Sequence, residues 1–313
     1  DLDLTYHKYY INRSGIFDVK YIPDDLYSSK IDPYLNNRII DLGFSDKNYF
    51  DMYFKGYKLP KTYIHLINGF FLDNEYNIIS LNDAKKILAN TKEFVIKPSV
   101  TSYGGRDVLF FHEPSLNEIN DLLDSLPSKN LIFQEVIKQS KITESFHKDS
   151  INTIRIITLL IDNKVRILHS VLRYGVNNSR VDNANSGGRF CGINEDGTFY
   201  NTAFDLYGNE YNLPIDETFL SKYKIPCMGK INSLVTDLAQ KFPHFRLISW
   251  DIALDSYNEP VIIEANFNMG DVDIIQPIFG PFFGKYTDDV LNEVYFNKPN
   301  DFINPKNYYD QFI

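Results

Sequence analysis

Apolar positions follow two different periods along this chain, and the change between them divides it. The first sixty residues are broken in pattern, rich in Tyr, Asp and Asn, with short helical spacings such as Asp32 to Leu42. Leu59-Pro60-Lys61 interrupts the chain before Thr62 to Ile67, a β-branched and aromatic run with the composition of a strand. Ser80-Leu81-Asn82-Asp83 then reads as the capped start of a helix reaching about Asn90, and Phe94-Val95-Ile96 as a strand closing on Lys97-Pro98. The loop from Thr101 to Asp107, which carries Gly104 and Gly105, joins it to a strand from Val108 to Phe111. Ser115 and Glu118 have capping-box spacing, and Leu116, Ile119, Leu122, Leu123 and Leu126 share one face of the helix they open. Strand Leu131 to Val136 follows.

From Thr153 the pattern changes to long strands. Thr153 to Ile161, a turn at Asp162-Asn163, and Lys164 to Arg173 predict an antiparallel hairpin. Ile231, Leu234, Val235 and Leu238 mark an amphipathic helix ending before Pro243, and Phe245 to Phe267 predicts a second hairpin. The expected organisation is α+β: an ancillary segment 1–60, a small subdomain 61–136, and a sheet-based subdomain 137–313 with a C-terminal helix.

The second hairpin carries the first chemical signal. Along Arg246 to Leu254, Ser249, Asp251 and Ala253 share a face opposite Ile248, Trp250 and Ile252, and on the returning strand Glu264 and Asn266 share a face. A turn at Tyr257-Asn258 would set Asp251 directly across from Glu264. Facing carboxylates repel unless a cation lies between them, and these hard oxygen donors suit Mg²⁺ bridging to phosphates. The competing reading is an exposed polar face.

Lys97 ends an apolar strand beside a Gly-Gly loop, an arrangement that turns a fixed positive charge and backbone N–H groups towards phosphates, although no Walker A spacing is present. Gln134-Glu135-Val136 ends a strand where backbone groups can meet an adenine edge. Arg155 lies in an apolar strand and needs a carboxylate or an anionic ligand, with a salt bridge to one of the site's own acids as the alternative to a phosphate role. The polar, glycine-rich stretch Arg180 to Arg189, including Gly187 and Gly188, suits a loop that closes over a ligand, or a simple connector. Arg173, Arg180 and Arg189 are candidates for recognising a substrate carboxylate or phosphate.

Charge and composition narrow the partners. A formal net charge of −9 disfavours nucleic acid, since little on the chain would displace backbone counterions. The two cysteines, Cys191 and Cys227, have neither zinc-site nor disulfide-framework spacing, and no apolar run approaches a membrane span. A cytoplasmic setting is expected.

Taken together, Phe94 to Pro98 with Gly104-Gly105, the Gln134-Glu135 hinge, Ser150 to Arg155, and Trp250-Asp251 with Ile263 to Asn266 resemble the ATP-grasp superfamily. Within it the SINTIR segment, VDNANSGG, and WDIAL followed by IIEANFN resemble the sugar-transfer-associated branch, from roughly Lys61 to Tyr295. The resemblance implies two α+β subdomains gripping ATP. Lys97 would hold the α and β phosphates under a loop of Ser102, Gly104 and Gly105, and Gln134, Glu135 and Val136 would meet adenine. Glu144 or His147 would bind the ribose, Lys58 or Lys61 would make an earlier nucleotide contact, and Asp251, Glu264 and Asn266 would hold two Mg²⁺ ions. Arg155 would stabilise an acyl phosphate. The implied reaction is ligation of a carboxylate to an amine, with a uronic acid on a sugar nucleotide or glycan as acceptor. Three readings compete: phosphorylation of a sugar hydroxyl, nucleotide sensing without catalysis, and glycoside hydrolysis by the paired carboxylates, which leaves Lys97 and Asn266 unexplained.

Overall fold

The structure, a computed structural model, describes residues 4–100, 107–126, 130–268 and 270–296. The chain forms two compact units. One comprises Leu42–Lys138 with Val261–Ile263, and the other Asp1–Asp41, Gln139–Pro260 and Glu264–Ile313. Both combine helices with antiparallel sheet, the α+β class that the sequence pattern predicts.

The smaller unit is built on β1 (Thr62–Ile67), β2 (Phe70–Leu72), β3 (Glu93–Pro98), β4 (Leu109–His112) and β5 (Leu131–Gln134), ordered β2-β1-β5-β3-β4. Its two main helices start where the capping residues place them. Ser80 accepts from the Asp83 amide, and Ser115 and Glu118 close a reciprocal capping box, satisfying N–H groups that the first helical turn leaves unpaired. Helices Leu81–Ala89 and Leu116–Ser125 turn Ala84, Leu88, Ile119 and Leu123 onto a core with Ile64, Leu66, Phe94, Ile96 and Phe133. Leu116 stays 66% exposed, because it sits in the first turn beyond the sheet's reach.

The larger unit holds seven strands: β6 (Thr153–Ile161), β7 (Lys164–Tyr174), β8 (Arg189–Ile193), β9 (Phe199–Phe204), β10 (Glu210–Asn212), β11 (Leu247–Leu254) and β12 (Pro260–Asn266). Their order is β10-β9-β8-β7-β6-β11-β12. β6 and β11 are interior strands covered on both faces, so β-branched and aromatic residues fill them in nearly continuous runs, broken by the paired charges Arg155 and Asp251 and by the hydroxyls of Thr153, Thr158 and Ser249. Helix Met228–Ala239 packs against β6, β7 and β11 through Ile231, Val235 and Leu238, and helix Val272–Phe279 against β8, β9 and helix Thr5–Ser14.

Two features differ from expectation. The early segment does not stand apart as 1–60: Ile22, Tyr27, Ile31 and Leu35 lie in the core of the larger unit with Ile157, Leu159, Leu247 and Ile275, while the chain from Leu42 belongs to the smaller. The Gln276 side chain acts as a surrogate strand there, accepting from the Ile22 amide at 2.8 Å and donating to its carbonyl at 2.9 Å. The second hairpin turns through three residues rather than two. Asn258 takes a left-handed φ of 62° and its amide donates to Asp255 O, while the Asp255 amide donates to Glu259 O, a bulged turn that asparagine tolerates.

Candidate active site

Strand register collects the charged side chains of the larger unit. Asp251 on β11 is the cross-strand partner of Arg155 on β6, and Arg173 on β7 partners Thr153, two residues along from Arg155. Side chains alternate across a strand, so all of these lie on one sheet face. Arg155 grips both oxygens of Asp251, Nε to Oδ1 at 2.8 Å and Nη2 to Oδ2 at 2.7 Å, and Arg173 Nη1 donates to the same Oδ2 at 2.8 Å. The remaining Nη1 of Arg155 donates to Asp271. Arg173 Nη2 reaches Asp182 Oδ1 at 3.5 Å, and Asp182 also accepts from the Thr153 amide at 3.0 Å and from the Thr153 hydroxyl.

Asp251 is 4% exposed and Arg173 5%, so the exposed-face reading of the hairpin does not hold. Burial alone would raise the Asp251 carboxyl, but the two guanidiniums outweigh it and hold the group well below the usual carboxylate range. For Arg155 burial disfavours the charge, and Asp251 and Asp271 more than restore it. Asp182 is raised by burial, which Arg173 only partly offsets.

Asn266 on β12 joins this face. Its Nδ2 donates to Ser249 O at 3.2 Å and leans on Asp251 Oδ2 at 3.5 Å, so its carbonyl oxygen turns the other way. Glu264, two residues earlier on the strand and half-buried, shares that face by alternation. Beside them the Ser249 Oγ and the Arg173 Nε are buried with no hydrogen-bond partner. Carboxylate and amide oxygens without sulfur or imidazole, next to unsatisfied donors that an anion would satisfy, fit a hard divalent cation with phosphate. Among the described residues, no three His, Cys, Asp or Glu side chains form a cation cage by themselves.

The stretch 180–189 has an internal logic. Asn183 accepts from the Asn185 amide through its side chain and from Ser186 and Gly188 through its carbonyl, closing a tight turn capped by Gly187 at φ 84°. A Cβ on Gly188 would stand 2.4 Å from Asp182 O and 2.6 Å from Asn183 O, so only glycine lets the turn close and deliver Asp182 to Thr153 and Arg173. Arg180 is exposed, and Arg189 opens β8 with its guanidinium stacked 3.7 Å over the Tyr211 ring.

Of the two ribose candidates, His147 has both ring nitrogens engaged, Nδ1 with Ser150 Oγ and Nε2 with Asn177 O, each at 2.8 Å. It belongs to a polar knot in which buried Asn152 and Ser150 tie to Gln139, Thr143 and Gly175. Glu144 is exposed on the short helix Lys141–Glu144.

In the smaller unit, Lys97 and Gln134 share a sheet face, since Val95 and Gln134 are register partners. Lys97 Nζ donates to Gln134 Oε1 at 3.4 Å, and Gln134 Nε2 to Thr62 Oγ1 at 3.3 Å. Glu135 extends the β1–β5 pairing, its amide donating to Lys61 O and its carboxylate accepting from Lys61 N, both at 2.9 Å. Val136 is half-buried just beyond. The Lys58 carbonyl accepts from the Ile262 amide, and Lys61 places its ammonium 5.3 Å from the Tyr63 ring centre. Ser102, Gly104 and Gly105 lie outside the described residues.

Sequence reasoning missed Asp182 and Asp271. Asp182 sits inside the recognised stretch but has no periodic signal, and its role appears only when the Gly188 turn closes. Asp271, left-handed at φ 55° ahead of helix Val272–Phe279, follows β12 at a distance that no spacing rule marks.

No curated protein sequence matches the chain. Among solved structures, a carboxyaminoimidazole synthetase from Staphylococcus aureus complexed with ADP is similar over 74% of this chain and 44% of that one, with 8% identity and a TM-score of 0.41. D-alanyl-alanine synthetase A from Vibrio cholerae is similar over 80% of this chain and 67% of that one, with 10% identity and a TM-score of 0.43. A carboxyaminoimidazole synthase from Aspergillus clavatus, in complex with ADP and an aminoimidazole ribonucleotide, is similar over 81% and 54%, with 9% identity and a TM-score of 0.41. The chain thus spans about half the length of the carboxyaminoimidazole synthetases that it resembles. The model of one family matches residues 27–280, and the chain belongs to that family, the sugar-transfer-associated ATP-grasp proteins.

Proposed function

We propose that the chain is an ATP-dependent, ADP-forming ligase that joins a carboxylate to an amine. The observation that carries the reading is the buried Arg155–Asp251–Arg173 cluster beside Glu264 and Asn266, in a chain whose family is ATP-grasp. It combines fixed positive charge for an anionic reacting group with oxygen donors for a cation, and among the described residues it holds no histidine or cysteine that would complete a Ser-His-Asp or Cys-His arrangement.

In this reading a substrate carboxylate oxygen attacks the γ-phosphorus of ATP in line. The new O–P bond gives an acyl phosphate and the β–γ bridge electrons leave with ADP. The amine then attacks the acyl carbon, phosphate departs with the C–O bonding pair, and the amine loses a proton. Lys97 and Gln134 are assigned to the nucleotide, Glu135 and Val136 to the adenine edge, and Glu144 to the ribose, since the ring nitrogens of His147 are engaged. Arg155 is assigned to the negative charge that develops at the acyl phosphate and the tetrahedral species after it. Asp251, Glu264 and Asn266 would hold Mg²⁺, which neutralises phosphate charge when bound. Arg180, Gly187, Gly188 and Arg189 are assigned to the acceptor side. The family's association with sugar transfer supports a uronic acid on a sugar nucleotide or glycan as acceptor. Among the described residues, no helix is long and apolar enough to cross a membrane.

The test is calorimetric titration of a non-hydrolysable ATP analogue with Mg²⁺ into wild type, Lys97→Ala and Glu264→Gln, followed by hydroxylamine trapping with ATP and uronic acids. Metal-dependent binding by wild type, weakened at least tenfold in both variants, and hydroxamate formation are expected. No nucleotide binding by folded wild type sinks the reading. ATP consumption without hydroxamate points to phosphorylation of a hydroxyl instead.

A further inference from the structure

Arg173 is harder to account for than Arg155. It was a candidate for recognising substrate, yet it is 5% exposed and both of its engaged nitrogens go to acids of the protein, Nη1 to Asp251 and Nη2 to Asp182. A carboxylate oxygen has two lone pairs. At Asp251 Oδ2 one is taken by Arg155 Nη2 at 2.7 Å and the other by Arg173 Nη1 at 2.8 Å, with Asn266 Nδ2 leaning on the same atom at 3.5 Å. A cation that approached Asp251 would meet two fixed guanidiniums as well as one carboxylate.

The charges around this atom are half balanced without any metal. Asp251 with Arg155 and Arg173 sums to +1. Asp182 and Asp271, each tied to one of the arginines, bring the cluster to −1, and Glu264 brings the face to −2, where its four acids would stand at −4 without the two arginines. That weakens the attraction for a divalent ion that must also shed tightly held water. A nucleotide triphosphate changes the balance, because it brings several negative charges of its own.

We propose that Arg173 is a specificity-determining residue that makes the Asp251 site refuse free divalent cations and accept them only as a metal–nucleotide complex. The inference rests on the reading of Asp251 as a metal ligand. Arg155 cannot do this alone: its bidentate grip leaves a second lone pair open on each Asp251 oxygen, and Arg173 closes the one on Oδ2, so that only Oδ1, which takes Arg155 Nε alone, is left for a metal that arrives with its own negative charge. Asp182, anchored on Thr153 through the Gly188 turn, keeps the Arg173 guanidinium in place from its other side. Free Mg²⁺ would thereby be held off the site until nucleotide arrives.

The experiment titrates Mn²⁺ alone, read by electron paramagnetic resonance of the free ion, into the full chain with no nucleotide present. Wild type should bind weakly. Arg173→Gln, which removes the charge and keeps a polar side chain, should bind Mn²⁺ about tenfold or more tighter. Arg173→Lys, which keeps the charge, should stay near wild type, and Arg173→Gln combined with Asp251→Asn should lose the gain. If Arg173→Gln does not melt cooperatively, Arg173→Met is measured in its place. The proposal is overturned if the charge-removing variant binds Mn²⁺ no tighter than wild type, or if its gain survives in the Asp251→Asn background. The comparison needs no nucleotide, so it can fail while Mg²⁺-dependent nucleotide binding by wild type still stands, and the reverse.

Discussion

At the scale of single residues, what a side chain does here depends on who meets it, and the sequence reveals only half of each meeting. Asp251 was legible: alternation along Arg246 to Leu254 put an acid among apolar neighbours. Its partners were only half legible: a salt bridge from Arg155 to one of the site's own acids was one of two readings, but which acid, and that Arg173 joins it, depends on strand register across 96 and 78 positions. His65 shows the same limit. It is fully buried on β1, stacked on Tyr76 at 4.4 Å, with Nδ1 3.1 Å from Asn48 Oδ1 and Nε2 3.6 Å from Asp51 Oδ2. Burial pushes its pKa down from 6.5 to about 4, with Asp73 opposing only slightly. The unfolded chain therefore takes up a proton below pH 6.5 that the folded chain refuses until about pH 4. Stability present above pH 6.5 is lost as pH falls through that window, by roughly 3 kcal/mol. His169, also pushed down to about 4 by burial, adds to the loss in the same window, while Asp273, raised by burial to about 6, and Asp51, raised by burial, work in the opposite sense. Unfolding midpoints should fall between pH 7 and pH 4.5, and His65→Gln should flatten that slope. An unchanged slope in the variant would remove His65 from the account.

Whole elements were more legible than pairs of residues. Both capped helices of the smaller unit start at the serines that sequence spacing named, and the β6–β7 hairpin turns at Asp162-Asn163, both at positive φ. Periodicity and capping are local, so a single sequence carries them. What it did not carry was the continuation of the sheet through β8, β9 and β10, where short strands are separated by turns and the alternation is too brief to register. Nor did it separate a ligand-closing loop from a structural turn at 180–189. The geometry there gives Gly188 a steric role, because an added Cβ would collide with two backbone carbonyls that cannot swing aside. Gly188→Ala should force the turn open, draw Asp182 away from Thr153, and destabilise the larger unit by about 1–3 kcal/mol. Asn185→Ala, exposed in the same turn, should change stability by about 0.5 kcal/mol or less. Thermal melting of the two variants side by side checks this, and a wild-type midpoint for Gly188→Ala would refute it.

For the molecule as a whole, the boundary drawn from sequence near residue 60 reflected a real change of pattern but not the packing. A segment with weak periodicity looks ancillary, yet four of its side chains, Ile22, Tyr27, Ile31 and Leu35, are 3% exposed or less in the core of the larger unit. Burial of each is worth about 1.5–3 kcal/mol, so together they rival the 5–15 kcal/mol net stability of a typical domain. A chain begun at Leu42 should accordingly fail to fold its larger unit, seen as lost cooperative melting and aggregation on expression. A soluble, cooperatively melting product would show that the segment is dispensable.

The Gln276 side chain, standing in for a strand beside Ile22, also sets a timetable for synthesis. Ile22 leaves the ribosome 254 positions ahead of the amide that completes its hydrogen bonds. At elongation rates of about 5–20 residues per second, that interval is roughly 10–50 s. Until Ile157 and Leu159 follow, four large apolar side chains lack their core partners, and the Gln276 amide comes later still, while Leu42–Lys138 emerges as a nearly continuous folding unit. The early segment is therefore where a chaperone would find this protein first, and slower translation would lengthen its exposure rather than help it fold.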